Sequence, residues 1–517
     1  MRSLLAYLAL LAVVTFAHYG FYPIAADLWS WDSGPFMLVA EDVSHGKFSA
    51  FYYNHYYGGA VLSWFHGAWV KCVQLLSQRD LLWAHHSFYY AVVPTALSIS
   101  TYEMLRAFSS RRSAFLVALI PAFGFLSWIV FYSATEYYVA GYILGCFLLK
   151  TRIKWGEPLK IESTFKKFAF FVCVGFAVYT YRAMVIYALG LVVPWKWITQ
   201  QSKIVLTDKS RMAKTMRSLI WILLALYVLL DLFGGKLGEY NGKAVKLNAQ
   251  PNLKIAVILA MFLWAWVRRM DRRLINWKAF VLPCSGLFLG ALPEIVSKLS
   301  HPISGMDSGT RLASLPQVLE TITLIPDRLR ELITSTTEAP LGSVGQTPLH
   351  FVSFILVVLS LTILFRHAKR QEQYKFLIFT VSLSGVTFCC VSSYATANTR
   401  WLFSSLPVMF IGTAWLLEHF IKKYRYGAVI VSTLLAGHFS NQWIGRKTLQ
   451  RFAIERPEQL PSWTMGKFSK MNQVIETFKS AQLDLVISDS HFWSNNLSVL
   501  SKRKPLFVSK EWSPIEG

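Results

Sequence analysis

Residues 106–131 read RAFSSRRSAFLVALIPAFGFLSWIVF, and the side of a bilayer given to their basic start decides the topology of the whole chain. Three arginines are followed by an apolar run close to the ~20 residues that span a hydrocarbon core. Short basic gaps beside apolar runs mark cytoplasmic connections. The same alternation returns at KTRIKWGEPLK (150–160), RRMDRR (268–273), RHAKRQ (366–371) and KKYRY (422–426).

Composition agrees. Of 517 residues 54% are hydrophobic and 15% charged, against roughly 25% charged in soluble domains. The net charge of +24 would point to nucleic acid in a soluble chain; confined to short gaps between apolar runs, it reads instead as topology and contact with anionic headgroups, with no nucleic-acid partner. The fold class expected is an all-α polytopic membrane protein of about thirteen transmembrane helices. With the basic gaps inside, the spans fall near 3–21, 87–105, 113–131, 135–150, 165–181, 183–199, 217–233, 253–267, 277–295, 349–365, 375–393, 401–417 and 427–441. The N-terminus has a basic start and a small-residue patch at Ala25–Ala26, yet its long apolar stretch with an aromatic outer end reads as a retained first span.

Segment 58–76 is apolar but holds His66 and Lys71. Counting it as a crossing would put RAFSSRR outside, so it is expected as a helix in the outer interface. The outer regions are then 22–86, the turn Ser133–Glu136, loop 296–348 and the tail. Residues 442–517 mix helix-like and strand-like patterns and read as a small folded α/β segment outside the membrane. The six cysteines (72, 146, 173, 284, 389, 390) lack paired ligand spacing and read as packing thiols.

Ionisable groups at the membrane edge are the functional candidates. In WSWDSGPFMLVAEDVSHGK (29–47), Asp32 stands among interface aromatics ahead of a short amphipathic helix with Phe36, Val39, Ala40 and Val43 on one side. It reads as a reactive carboxylate or as that helix's N-cap, roles that are compatible. Glu136, in FYSATEYYVAGYILG, has no basic neighbour in sequence and reads as functional or as half of an ion pair. Arg182 (VYTYRAMVIY) and Arg400 (SSYATANTRWLF) lie at outer turns, outside the basic gaps. Their guanidinium groups suit a phosphate, gripped through paired N–H···O bonds, or a lipid headgroup. YYNHYYGGA (52–60), with Asn54, His55 and Tyr57, reads as a substrate wall or as an aromatic belt with a glycine turn. Histidines 45, 55, 66, 85 and 86 crowd the first outer region without a metal-ligand pattern, and read as interface histidines with no metal site.

These segments resemble the GT-C superfamily of polytopic glycosyltransferases, close to the dolichyl-phosphate-mannose-like and aminoarabinose-transferase-like group. That group carries an Asp-Glu pair in the first outer loop, followed by Y-x-x-x-A-x-x-x-x-x-G. Asp32 takes the Asp position, Ala40 the Ala, Gly46 the Gly and Lys47 the common basic residue, while Ser33 replaces the Glu. FYYNHYYGGAVLSW, SATEYY, LGALPEIVSKLSHP and TRWLFSSLPVMF are similar to further segments of such proteins.

The resemblance implies a catalytic transmembrane domain over 1–441 and an extracytoplasmic segment over 442–517. It implies a polyprenyl-phosphate-linked sugar donor, an extracytoplasmic acceptor (glycolipid, glycan or protein) and inversion at the anomeric carbon. A bacterial inner membrane with the site facing the periplasm would house it. Asp32 would be the base and Arg400 with Arg182 the phosphate clamp. Glu136 would orient hydroxyls, or hold a divalent ion if one is used; no other cofactor is implied. The rival readings are a transporter or flippase of a lipid-linked sugar, which calls for internal repeats that the sequence does not display, and a glycan ligase or polymerase using Arg311, Arg328 and Arg330 in loop 296–348.

Overall fold

The computed structural model describes residues 2–19, 33–52, 55–77, 81–123, 136–181, 184–192, 236–240, 243–246, 277–300, 317–323, 350–390, 406–455, 468–488 and 506–509, with Ser218, Leu497, Ser498 and Ser501 besides. The described chain is mostly helical. Its first part runs α1 (Arg2–Tyr19), α2 (Ser33–Ser44), strands β1 (Phe51–Tyr52) and β2 (His55–Gly59), α3 (Val61–Leu76) and α4 (Leu81–Ser87). A π-turn (Phe88–Val92) leads into α5 (Val93–Leu105), followed by α6 (Arg111–Phe123), α7 (Glu136–Trp155), α8 (Thr164–Thr180) and α9 (Met184–Val192). Then come β3 (Lys236–Tyr240), β4 (Lys243–Lys246), α10 (Trp277–Gly290), α11 (Leu292–Ser300), α12 (His350–Arg370), α13 (Lys375–Cys390), α14 (Leu406–Lys423) and α15 (Gly427–Glu455). The tail holds α16 (Phe468–Ser480), β5 (Leu485–Ser488) and β6 (Leu506–Ser509).

Most helices lie where an apolar run is bounded by a basic gap. Ser163 shows how one starts: its side chain accepts from the Lys166 N–H at 3.4 Å and opens α8. Some boundaries moved. The span expected over 87–105 is broken at its outer end, because Pro94 has no N–H to offer the preceding turn. The Val93 N–H instead reaches back five residues to the Phe88 carbonyl and closes a π-turn. The last expected span runs on past 441 to Glu455, so the boundary placed there falls within a continuous helix. The expected spans 217–233 and 253–267 lie outside the described residues. Among the described residues no helix is long and apolar enough to cross a membrane.

Close helix contacts use small residues. A Cβ on Gly175 of α8 would come within 2.3 Å of the Leu287 carbonyl of α10, and one on Gly290 within 2.2 Å of the Val172 carbonyl. α2 packs on α3 in the same manner: a Cβ on Gly67 would sit 2.6 Å from the Ala40 carbonyl and from Val43. One corrected expectation concerns α2. It is not amphipathic in place, since Met37, Leu38 and Glu41 are buried along with Phe36, Val39, Ala40 and Val43. α3 does keep two faces, burying Val61, Leu62, His66, Val70 and Val73 and exposing Phe65, Leu75 and Leu76.

Four of the five basic gaps, those among the described residues, meet at one end of the bundle. Glu103, near the end of α5, receives the Tyr7 hydroxyl at 2.6 Å, Arg106 at 3.0 Å and Lys150 of α7 at 2.5 Å. Beside it the Trp415 indole N–H donates to the Phe108 carbonyl at 3.0 Å, and its ring meets His367 at 4.4 Å and Tyr374 at 5.0 Å. Segments 106–112, 150–160, 366–371 and 422–426 are thereby drawn together. The tail has a core of its own, Ile475, Leu497 and Phe507, under the parallel pair β5–β6, which is the α/β character read from its sequence.

Candidate functional site

At the end of α7 and α8 opposite the basic gaps, three elements converge. The first is the β1–β2 hairpin, in which Phe51 pairs with Gly59 and Tyr52 with His55. Tyr179, one residue before the end of α8, covers it. The Tyr179 hydroxyl donates to the Ala50 carbonyl, and its ring meets Phe51 edge to face at 5.8 Å. A Cβ on Gly59 would fall 2.6 Å from that ring, so only glycine fits there. The Trp64 indole N–H, from the first turn of α3, donates to the Ser49 carbonyl at 2.9 Å and ties the hairpin to the helix that follows it.

The second element is the start of α7. Tyr181, just past α8, meets Tyr138 edge to face at 4.9 Å, and packs on Gly141. Glu136 is the first residue of α7, two positions before Tyr138. The third is α11. Its Glu294 is half-buried in the first turn, and its charge reaches the Tyr179 hydroxyl. Glu294 is a functional candidate that sequence reasoning misses; its signal in LGALPEIVSKLSHP is a carboxylate with no basic residue until Lys298.

Of the residues singled out by sequence, Glu136, His55 and Tyr57 thus lie on elements that meet at this end, with their backbones described. Asp32, Asn54, Arg182 and Arg400 lie outside the described residues. Ser33, which follows Asp32, opens α2, and Tyr181, which precedes Arg182, is the residue against Tyr138. The Ser63 hydroxyl donates to the Phe36 carbonyl at 3.3 Å, so α2 and α3 start side by side.

The histidines are where expectation fails. His66, His85 and His86 are buried, not at an interface, while His45 is exposed. His66 stacks on Phe88 of the π-turn with centroids 4.3 Å apart and planes 4° from parallel. His85 Nδ1 lies 2.9 Å from His66 Nε2, and His85 Nε2 lies 3.5 Å from Glu41 Oε1. Burial, with the neighbouring His85 and His66, pushes the His86 imidazole down to about 3, so it is neutral in the fold. Among the described residues no group of three His, Cys, Asp or Glu side chains could hold a metal ion. Cys72, Cys146, Cys173 and Cys284 are free thiols.

Chemically, the convergent end offers the Glu294 carboxylate and the Tyr179 phenol beside a glycine-floored hairpin, groups that can accept and donate hydrogen bonds.

No family profile matches this chain, and no curated protein does. Among solved structures, the archaeal oligosaccharyltransferase AglB from Archaeoglobus fulgidus, in complex with an inhibitory peptide and a dolichol-phosphate, aligns with 97% of this chain and 64% of its own, at 12% identity and a TM-score of 0.46. The apo form of the Archaeoglobus fulgidus oligosaccharyltransferase aligns with 99% of this chain and 65% of its own, at 11% identity and a TM-score of 0.47. This chain therefore spans just under two thirds of the length of those structures, and a likeness at that score carries no argument about its activity.

Proposed function

We propose that this chain is an integral membrane glycosyltransferase that moves a sugar from a polyprenyl-phosphate donor to an extracytoplasmic acceptor. The observation that carries the reading is the gathering of the hairpin, the α7 start bearing Glu136, the α8 end preceding Arg182, and Glu294 at one end, with the basic gaps at the other. A bilayer between those two ends is supported by the faces the helices present. Leu4, Leu5 and Phe16 of α1 are more than half exposed, as is Phe65 of α3, an apolar display that lipid covers and water does not. The glycine contacts of α8 with α10 fit association in lipid, where close backbone approach replaces the hydrophobic effect. The thirteen crossings, the bacterial inner membrane and the periplasm-facing site belong to this proposal.

In the reaction, an acceptor hydroxyl attacks the anomeric carbon from the face opposite the phosphate. The C–O bond to the phosphate breaks and the configuration inverts. A hydroxyl is a poor nucleophile at neutral pH, and Asp32 takes its proton as it attacks. The leaving polyprenyl phosphate gathers negative charge, which Arg400 and Arg182 stabilise in a site drier than bulk water. Glu136 and Glu294 orient donor and acceptor hydroxyls, and Asn54, His55 and Tyr57 bind the sugar.

The test uses protein in nanodiscs with radiolabelled polyprenyl-phosphate sugars and host lipid extract. Sugar transfer is expected for the wild type, and Asp32→Asn should lower kcat by roughly 10²–10⁴-fold, the usual worth of a positioned base. Equal activity in a folded Asp32→Asn protein removes Asp32 from the reaction. Flipping of the donor without transfer would replace the glycosyltransferase reading with a transporter.

A further inference from the structure

The buried chain Glu41–His85–His66 is not needed by the reaction above. It links three elements: Glu41 comes from α2, His66 from α3 and His85 from α4. A surface cluster would exchange its protons with water at once. Here Glu41 is 6% exposed, and His66 and His85 are 0% exposed.

The distances restrict the proton positions. Between His85 Nδ1 and His66 Nε2, 2.9 Å apart, one nitrogen must carry a hydrogen and the other a lone pair. If His85 Nδ1 were the donor in a neutral ring, its Nε2 lone pair would face the Glu41 carboxylate, a repulsive contact at 3.5 Å. The opposite arrangement makes the bond between the two rings and turns an N–H edge, not a lone pair, toward the carboxylate at a separation longer than a hydrogen bond. His66 Nε2–H donates to His85 Nδ1, and His85 Nε2–H points at Glu41 Oε1. Other titratable groups leave this order in place. His86 is held neutral by burial, and Tyr89 meets the His66 ring edge-on at 5.0 Å. On α2, Asp42 is half-buried and His45 exposed, and on α3 Lys71 is exposed. Tyr138 of α7, which packs on α3, turns its ring to Tyr181.

Two further features hold the rings. The Phe88 ring that stacks on His66 belongs to the π-turn, the kind of helix irregularity concentrated at functional sites. The Trp69 indole N–H donates to Ser87 Oγ at 2.9 Å, fastening α3 to α4 beside the imidazoles.

We infer that Glu41, His85 and His66 form a buried directional proton-binding chain, in which the Glu41 carboxylate selects the tautomer of both imidazoles. The order is fixed by charge: the Glu41 carboxylate keeps the hydrogen of His85 on Nε2, which leaves Nδ1 as the acceptor of the His66 Nε2–H. α2 begins directly after Asp32 and α3 directly after the hairpin, so a fixed tautomer makes these three residues positioning residues for the helix pair beneath the site. That last link, and only that link, rests on the glycosyl-transfer reading.

The test is nitrogen NMR of the full chain labelled with ¹⁵N-histidine in nanodiscs. In the wild type, a scalar coupling across the hydrogen bond is expected between one protonated and one bare imidazole nitrogen of different histidines. Resonances of that pair should report His66 protonated on Nε2 and His85 on Nε2, a single tautomer each. His66→Gln should abolish the coupling, and Glu41→Gln should leave the pair as a mixture of tautomers. Absence of any coupling in the wild type, or identical tautomers in folded Glu41→Gln, overturns the proposal. These readouts do not depend on sugar transfer. If transfer is also observed, Glu41→Gln should lower kcat about tenfold or more through misplacement of the site while leaving KM within about twofold, and an unchanged kcat would sever the link to the site while leaving the proton chain standing.

Discussion

The two ends of the helix bundle treat carboxylates in opposite ways. At the basic end, Glu103 accepts from Tyr7, Arg106 and Lys150, three donors on three elements, so its charge is spent on holding α1, the α5–α6 turn and α7 together. At the other end, Glu41 faces the His85 imidazole at 3.5 Å and the charge of Glu294 reaches the Tyr179 phenol, partners that carry no permanent positive charge. A carboxylate saturated by cations is structural cement. One that faces an imidazole or a phenol keeps its capacity to hydrogen-bond a ligand or to order a neighbouring N–H. Arg106 and Lys150 of the basic gaps neutralise the acid on their own side, Glu103.

Acid should separate the two ends most strongly. His86 is neutral in the fold because burial holds it at about 3, below the ordinary 6.5 of an exposed histidine. The unfolded chain therefore binds the extra proton between those values, and stability is full above pH ~6.5 and falls as pH drops toward 3. At pH 5 the loss is about 2 kcal/mol, visible in thermal melts of wild type against His86→Gln, whose profile over that range should be flatter. An acid slope that His86→Gln leaves unaltered would place the sensitivity elsewhere.

Next in size is Gly59→Ala. The added Cβ meets the Tyr179 ring at 2.6 Å, and overpacking of this kind costs about 1–3 kcal/mol. Because the hairpin must move, sugar transfer should fall more than the melting temperature predicts. Tyr179→Phe, which keeps the ring and deletes the hydroxyl that meets the Ala50 carbonyl, should cost about 1 kcal/mol. Glu103→Gln sharpens the contrast from the other side. It should destabilise by about 1 kcal/mol, modest because these groups remain about a quarter exposed, and it should leave kcat unchanged. A large kcat effect from Glu103→Gln would break the division between a structural and a functional end. Smallest of all is Lys422→Ala: its amine is 78% exposed and 3.7 Å from Glu418, so its loss should shift stability by under about 0.5 kcal/mol.

Much of the architecture is legible in sequence because helices are local. α8, α12 and α13 fall within a few residues of the spans read for them, since an apolar run ended by a basic gap needs no distant partner to become a helix. The π-turn was not read, although Pro94 announces an unpaired carbonyl, because how a helix recovers from a proline depends on what surrounds it. Glu41 lies nine positions after Asp32 in the stretch 29–47. In the sequence it looks like the polar side of an amphipathic helix, and only the covering of Met37 and Leu38 on that side turns it inward. The histidines misled for the same reason: imidazole suits both an interface and a core, and sequence spacing does not tell which. His66 and His85, nineteen positions apart, meet because α3 and α4 fold back on each other.

The sequence by itself determined the helical class, the location of most helices, the basic gaps and the α/β character of the tail, all consequences of hydrophobic periodicity and charge over stretches of twenty residues or so. The tertiary structure alone decided that the gaps 106–112, 150–160, 366–371 and 422–426 share one end. It alone joined Tyr179 to Ala50 across 129 positions and buried Glu41 against His85. Such contacts depend on which faces the helices turn to one another, and that is settled by packing between distant segments, where a glycine in place of a methyl group sets how near two backbones come.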